Sequence, residues 1–384
     1  MRKLSLITVG LILISLLVCS FAMAATEVKV GKGDLKIGGI LQGGFNYFVE
    51  DETGNNSFFL KRARFLFWGT IIPDKVKYFV QLDHRGSISV LDYKAQFFYI
   101  EKTEIAVGRF LPNFTLYMPY STAKLEMINY PFTTTKYAVW RQCGIQSTTK
   151  TDYVDFNLGI FNGGDQTNNW SDNNDAKDFL VRADVKPPID EATVRFGGYA
   201  WLGFAPAPSG WENGDDAFKR NRFGGFAKAD YTKDELTLRF RGEFLMGQDE
   251  YAVYHDTDPD EKKTRDSQAF FAHVGVQPVK QVEFLARYDF HDPDKDMSFE
   301  KYDNDLGSGK AALLDGICND DEAAALTAGV NYYLDGINAM FYLNYIHKME
   351  PGKMNTWDSD AGEWVEEDRE VDNDEVQVQV QIAF

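Results

Sequence analysis

The stretch from Glu375 to Phe384 alternates without a break, with Val376, Val378, Val380 and Ile382 on one parity and Gln377, Gln379 and Gln381 on the other. A period of two belongs to a strand with one apolar and one polar face. About sixteen segments share that period, at 35–48, 59–70, 76–83, 91–100, 104–111, 137–147, 153–161, 178–186, 193–203, 222–231, 236–247, 268–277, 281–290, 324–334, 337–347 and 375–384. Each is close to the length that a tilted, membrane-crossing strand needs.

The connections sharpen this. Short ones, "IIPDK" (71–75), "EKTE" (101–104), "TTKTD" (148–152), "PPIDEA" (187–192), "TKDE" (232–235), "PVK" (278–280) and "DG" (335–336), alternate with long ones rich in Gly, Asn, Asp and Pro. Tight turns at one rim and long loops at the other are the plan of an antiparallel transmembrane barrel. A soluble sandwich shares the period, so the faces must decide between the two. The apolar parities are heavy in Phe and Tyr, among them Phe45, Tyr47, Phe65, Phe67, Phe97, Tyr99, Phe240, Phe244, Phe284 and Tyr288. That suits a lipid-facing surface with aromatic girdles. The fold expected is all-β, a 16-stranded antiparallel transmembrane β-barrel with short periplasmic turns and long extracellular loops, one domain over 27–384.

The N-terminus sets the address. Arg2 and Lys3 precede an apolar run ending at Ala22-Met23-Ala24, the pattern of a secretory signal peptide over 1–24 with a small-x-small cleavage site. No later segment is a continuous apolar run of about 18 residues, so no helical span is expected. Removing the leader takes Arg2 and Lys3 with it, moving the formal charge from -18 to -20. Such acidity argues against nucleic acid as a partner and favours solubility or attraction of cations. Cys143 and Cys318 remain, and both the paired and the unpaired state stay open.

Several segments, in shared order along nearly the whole mature chain, resemble the phosphate-selective porin O/P family of bacterial outer membranes. They are "LKRARFLFWGT" (60–70), "AVGRFLPNFTLYMPYSTAKLEMINYP" (106–131), "GIFNGG" (159–164), "FFAHVGVQPVKQVEFLARYDFHDPD" (270–294), "TAGVNYYLDGINAMFYLNYIH" (327–347) and "VQVQIAF" at the end. The resemblance implies a homotrimeric channel whose third long loop, here about 111–136, folds into the lumen as a constriction. Lys124, Glu126 and Lys136 are the charged candidates on it. Where the family often carries an acid-base pair before a proline, this chain has Asn129 and Tyr130 before Pro131. The aromatic Phe384 in the last strand resembles the signal read by the outer-membrane assembly machinery.

With the apolar parities facing lipid, the opposite parities line a water-filled lumen and set which ions pass. They carry Arg62, Arg64, Lys77, Arg182, Arg195, Arg222, Lys228, Arg239, Arg241 and Arg287, set against acids that include Asp83, Asp155, Asp184, Asp230, Glu243, Glu283 and Asp289. Stacked guanidinium groups match oxyanion geometry and would guide phosphate or other anions. The alternative is that they pair with wall acids such as Glu243 and hold the barrel rigid. Arg109 and Arg141 fall on the apolar parity, which suggests snorkelling at an interface or a bulge.

The long loops argue for cations. "DTDPDE" (256–261), "DPDKD" (292–296) and "EEDREVDNDE" (366–375) form an acidic mouth that could bridge lipopolysaccharide through divalent ions. "DPDKDMSFE" lacks the glycine of a calcium loop, so no metal or cofactor is expected. His84, His255, His273, His291 and His347 show no nucleophile partner spacing, so the chain is not expected to be an enzyme. The function expected is passive diffusion of small hydrophilic solutes through an outer-membrane channel, with anions or phosphate preferred. A general or cation-preferring channel with an acidic vestibule, and a non-conducting adhesin or structural barrel, stand as alternatives.

Overall fold

The computed structural model describes residues 26–49, 55–163, 170–172, 174–207, 211, 217–255, 258–295, 322–349, 353–358, 363–368 and 373–384. A short strand β1 (Thr26–Val30) leads into the first barrel strand, β2 (Gly33–Phe48). There follow β3 (Asn56–Ile72), β4 (Val76–Asp83), β5 (Ser89–Ile100), β6 (Thr103–Phe110), β7 (Gln142–Lys150), β8 (Val154–Phe161) and β9 (Asp178–Val185). The second half comprises β10 (Ala192–Pro206), β11 (Ala217–Lys233), β12 (Leu236–His255), β13 (Asp258–Val279), β14 (Val282–Asp292), β15 (Ala323–Asp335) and β16 (Ala339–Met349). A separate hairpin, β17 (Lys353–Asp358) and β18 (Glu363–Asp368), precedes β19 (Glu375–Ala383). Between β6 and β7 lie one 3-10 turn, Thr122–Lys124, and one helix, α1 (Phe132–Tyr137).

Strands β2 to β16 and β19 make a closed antiparallel barrel of sixteen, each paired with its sequence neighbour. Closure is made by β19 on β2, in register from Glu375 opposite Phe48 to Ala383 opposite Ile40. Phe384 extends the seam, donating its backbone N–H to Gly39 O (3.1 Å) and accepting from Gly39 N (2.9 Å). Closure leaves the barrel itself without an unpaired edge, the condition for placing a sheet in hydrocarbon. Below the end of the seam, β1 takes over the free margin of β2, from Thr26 opposite Ile37 to Val30 opposite Gly33.

The expected strand positions hold, with differences at particular ends. The segment expected from 137 starts at Gln142, because 132–137 is helical and the backbone stays irregular to Arg141. Strands β12 and β13 run on past the expected 236–247 and 268–277, where the sequence no longer alternates between apolar and polar residues. The expected loop over 348–374 carries the β17–β18 hairpin. The leader over 1–24 and Cys318 lie outside the described residues.

The faces sort as the alternation requires. On β19, Gln377, Gln379 and Gln381 are buried inward, while Ile382 is 40% exposed on the outside. Leu158, Ile160, Val181, Val274, Phe284 and Leu343 are likewise exposed on the outer face. Aromatic side chains stand outward at both rims, Tyr99 and Tyr332 beside the short turns and Tyr47 and Phe58 beside the first long loop. An apolar exterior around a polar interior is the inverse of a soluble protein and suits a lipid surround. The main hydrophobic cluster sits inside the barrel, where Phe114, Leu116, Tyr117 and Met118 of the third loop pack on Phe161, Leu180, Tyr199, Trp201 and Phe271 of the wall.

Candidate functional site

The third long connection, 111–141, folds into the lumen and crosses it. Its backbone lacks a ladder partner over most of that length, so its polar groups must be met by side chains of the wall. Asn113 N donates to Gln146 (2.9 Å), Leu116 N to Glu243 (2.5 Å), Ile128 N to Asn344 (3.0 Å) and Phe132 N to Asp289 (3.0 Å). Its carbonyls accept in turn: Thr115 O from Arg182 (2.6 Å), Ala123 O from Gln381 (3.0 Å), Leu125 O from Tyr342 (3.2 Å), Glu126 O from Asn331 (2.8 Å) and Asn129 O from Arg287 (2.9 Å). Buried polar groups bonded to the wall at this many points specify one position for the loop.

These contacts divide the sequence-predicted arginines into two sets. Arg62, Arg182 and Arg287 hold structure together. Arg62 donates to Gln42 (2.6 Å) and lies 5.7 Å from the Tyr130 ring. Arg182 makes a two-pronged bridge to Asp184 (2.7 and 3.0 Å) as well as its bond to the loop, and Arg287 pairs with Asp289 (2.6 Å). Arg222 pairs with Asp249 (2.8 Å) and lies 5.3 Å from the Tyr137 ring on α1. Arg195 bridges Asp155 and Asp184 on the wall. Glu243, expected to pair with an arginine, instead accepts from Leu116 N, the Thr133 hydroxyl (2.5 Å) and the Tyr199 hydroxyl (2.7 Å).

The second set lines two cavities that meet at the loop segment Pro119–Ser121. The first, about 630 Å³, lies against β2 to β6 and includes Arg64 and Lys77. The second, about 680 Å³, lies against β11 to β16 and includes Lys228, Arg239 and Arg241. Tyr120 separates them, its hydroxyl held by Lys228 Nζ (2.5 Å). Arg239 pairs with Glu283 and Asp230, and Arg241 with Asp230 (2.7 Å) and Glu126 (3.2 Å). Of the loop candidates, Lys124 and Glu126 line the second cavity, whereas Lys136 is exposed on α1, 5.8 Å from the Phe132 ring, and lines neither.

Three bases that the sequence reading passed over also line these cavities, Lys36 and Lys94 in the first and Lys280 in the second, and Arg141, expected to face outward, joins them in the first. Lys36 and Lys94 sit on the inward parity of their strands, so alternation could have found them. Arg141 could not be found that way. Its expected outward position is corrected by Trp140, whose left-handed backbone (φ 49°) breaks the parity just before β7 and turns Arg141 inward to bridge Asp92 (2.9 Å). Arg109, expected to snorkel or to mark a bulge, lies on β6 beside one: β5 carries an extra residue at Leu91, and Arg109 donates to Val90 O (3.1 Å) and Leu91 O. Lys61 is the extra residue of another bulge, where Gln42 pairs with Arg62 and Gly43 with Leu60. It therefore reaches inward beside Arg62 and donates to Ile128 O (2.8 Å).

Each cavity is lined by five basic and two acidic side chains, although the chain as a whole carries -18. Burial of the loop core pushes the Tyr117 phenol well above its ordinary pKa, with the adjacent Glu126 carboxylate adding to it. Tyr117 thus stays neutral and donates to Glu126 (2.9 Å). Among the described residues no group of three or more His, Cys, Asp or Glu is placed to hold a metal ion. Residues 296–300 of the weak calcium-loop likeness, and 256–257 and 369–372 of the acidic loop segments, lie outside the described residues.

No family model and no curated protein matches the chain. Solved structures do. The outer membrane channel DcaP of Acinetobacter baumannii aligns over 94% of this chain and all of its own, at 13% identity and a TM-score of 0.59. The outer membrane protein OmpT of Vibrio cholerae, in trimer form, covers 92% of this chain and all of its own at 11% identity and 0.56. An anion-selective porin from Comamonas acidovorans covers 92% of this chain and all of its own at 12% identity and 0.55. At these identities the likeness is one of fold: this chain has the closed sixteen-stranded barrel of bacterial outer-membrane porins.

Proposed function

We propose that the chain is an outer-membrane porin, a channel for passive diffusion of small hydrophilic solutes, and that it prefers anions. The observation that carries the preference is the excess of basic side chains, five against two acidic, in each of the two lumen cavities at the inner loop. Fixed charges in a narrow space with low-dielectric walls focus their field into the water between them. A paired arginine still contributes its charge, and Arg64, Lys77, Lys94 and Arg141 face the first cavity together.

The same proposal includes export by the leader over 1–24, insertion among outer-membrane lipid and lipopolysaccharide by the assembly machinery, and a homotrimer. The neighbour solved in trimer form and the anion-selective neighbour support it by analogy. Phosphate selectivity rests on the sequence resemblance alone. Catalysis plays no part in it.

Single-channel conductance in planar bilayers under a salt gradient tests this. A reversal potential on the anion side is expected. A cation-side potential would favour the second reading, a cation-preferring channel with an acidic vestibule, which the net charge of -18 supports. Absence of conductance would leave the adhesin or structural barrel.

A further inference from the structure

Lys36 on β2 stands opposite Trp68 on β3, Trp68 opposite Phe79 on β4, and Phe79 opposite Lys94 on β5. All four side chains line the first cavity, so they form one row across the lumen wall, basic at both ends and aromatic in the middle. With strands about 4.8 Å apart, the ends of the row are about 14 Å from each other at the backbone. Trp68 and Phe79 are only half-buried. Lys94 Nζ lies 5.7 Å from the Phe79 ring and 5.7 Å from the Phe110 ring, with its charge directed along the aromatic faces.

Half-exposed aromatic rings on the wall of an aqueous lumen are unfavourable in water and offer apolar area to anything that covers them. Leu66, opposite Gly38 in the next row of the same cavity and itself half-buried, widens that surface. An inorganic oxyanion would use the lysines and leave the rings wet. A carboxylate with a flat apolar body would use both: its charge at a lysine, its ring on Trp68 and Phe79. The cavity, about 630 Å³, is of the size that holds a small organic molecule.

We infer that the Lys36–Trp68–Phe79–Lys94 row is a subsite for small organic anions with an aromatic or otherwise apolar body, a class the lumen favours over inorganic phosphate. This rests on the anion-preferring channel proposed above and names which anions it favours.

The test uses the whole protein in planar bilayers. Chloride current is measured with benzoate, acetate or inorganic phosphate added, and reversal potential in a potassium chloride gradient is recorded in the same membranes. Benzoate and acetate carry the same charge, so their difference reports the apolar body alone. Benzoate is expected to halve the current at about a tenfold lower concentration than acetate or phosphate. Phe79→Gln is expected to erase that difference while the reversal potential stays on the anion side. Trp68→Leu, which keeps apolar volume without the indole, serves as a second variant and should weaken benzoate block only in part. Equal block by benzoate and acetate, stronger block by phosphate, or unchanged benzoate block in Phe79→Gln overturns the inference and leaves the anion channel standing. A reversal potential on the cation side overturns both.

Discussion

The Thr133 hydroxyl and the Glu243 carboxylate meet at 2.5 Å deep in the lumen, with both residues buried. The other oxygen of the same carboxylate takes Leu116 N and the Tyr199 hydroxyl. One wall side chain thus grips the inner loop near its beginning and near its end. Glu243→Ala leaves three buried donors without an acceptor, which costs on the order of 3 kcal/mol or more. The expected outcome is a lower unfolding temperature of the detergent-folded barrel and open-channel current with more noise and a larger mean, as the loop leaves its seat. Glu243→Gln keeps an acceptor oxygen and should recover much of the quiet current. An Ala variant as quiet and as stable as the parent would show that the loop is held elsewhere.

Selectivity should follow cavity lining and not the count of arginines. Arg64 and Arg141 line the first cavity, whereas Arg62, two residues from Arg64, is buried against Gln42 and lines neither cavity. Replacing Arg64 and Arg141 together with Gln removes two of five positive charges from that cavity. The anion-to-cation permeability ratio, read from the reversal potential, is expected to fall by about twofold or more. Arg62→Gln should change it little and should act on stability. A larger shift from Arg62→Gln than from the double variant would refute this division.

The difference between Arg62 and Arg64 also shows where the sequence was legible and where it was not. Alternation located the strands because one face meets an apolar medium and the other water, a contrast written into every second residue. Arg64, Arg239 and Arg241 fall on the inward parity and line the cavities. It could not see the bulge that turns Lys61 inward beside Arg62, nor the left-handed Trp140 that turns Arg141 toward Asp92, since each breaks the period locally. Strands β12 and β13 outran their expected ends because 248–267 does not alternate: Tyr251 to Tyr254 is apolar on both parities and 258–267 is polar on both, so neither carries a contrast to read. The inner loop is the largest gap. Its partners, such as Gln381 for Ala123 and Asn344 for Ile128, lie more than two hundred residues away and meet backbone groups, which carry no sequence signature.

Alkaline pH should loosen the inner loop. Burial pushes the Tyr137 phenol on α1 up to about 12, so the docked loop holds it neutral. In the unfolded chain the same phenol ionises near pH 10. Its contribution is therefore complete below about pH 10 and is lost as pH rises through about 12, for a total of about 3 kcal/mol. Tyr117, raised for the same reason, adds to the slope. Unfolding free energy of the parent should fall steeply across this window, and Tyr137→Phe should reduce the slope without removing it. Parallel curves for the two proteins would exclude Tyr137 as a contributor.

Closure of the barrel should be sensitive to a single added carbon. Gly44 lies on β2 opposite Gln379 at the seam, and a Cβ built there would stand 1.9 Å from the Val378 carbonyl oxygen and 2.8 Å from the Phe59 ring. The nearer atom is backbone of the facing strand and cannot rotate away, so Gly44→Ala must push β19 off its register or part the seam. Overpacking of this kind costs about 1–3 kcal/mol when neighbours can yield. Here the yielding element is the strand pair that closes the sheet, and an opened seam exposes backbone groups that a bilayer cannot satisfy. Gly198→Ala is the matched control, since its Cβ would find its nearest neighbour, Gly224 O, at 3.6 Å. Folded yield, read from the heat-modifiable band on semi-native gels, should drop sharply for Gly44→Ala and stay at the parent level for Gly198→Ala. Equal yields for the two would mean that the seam accommodates the methyl group and that closure is less tightly specified than the Gly44 contacts require.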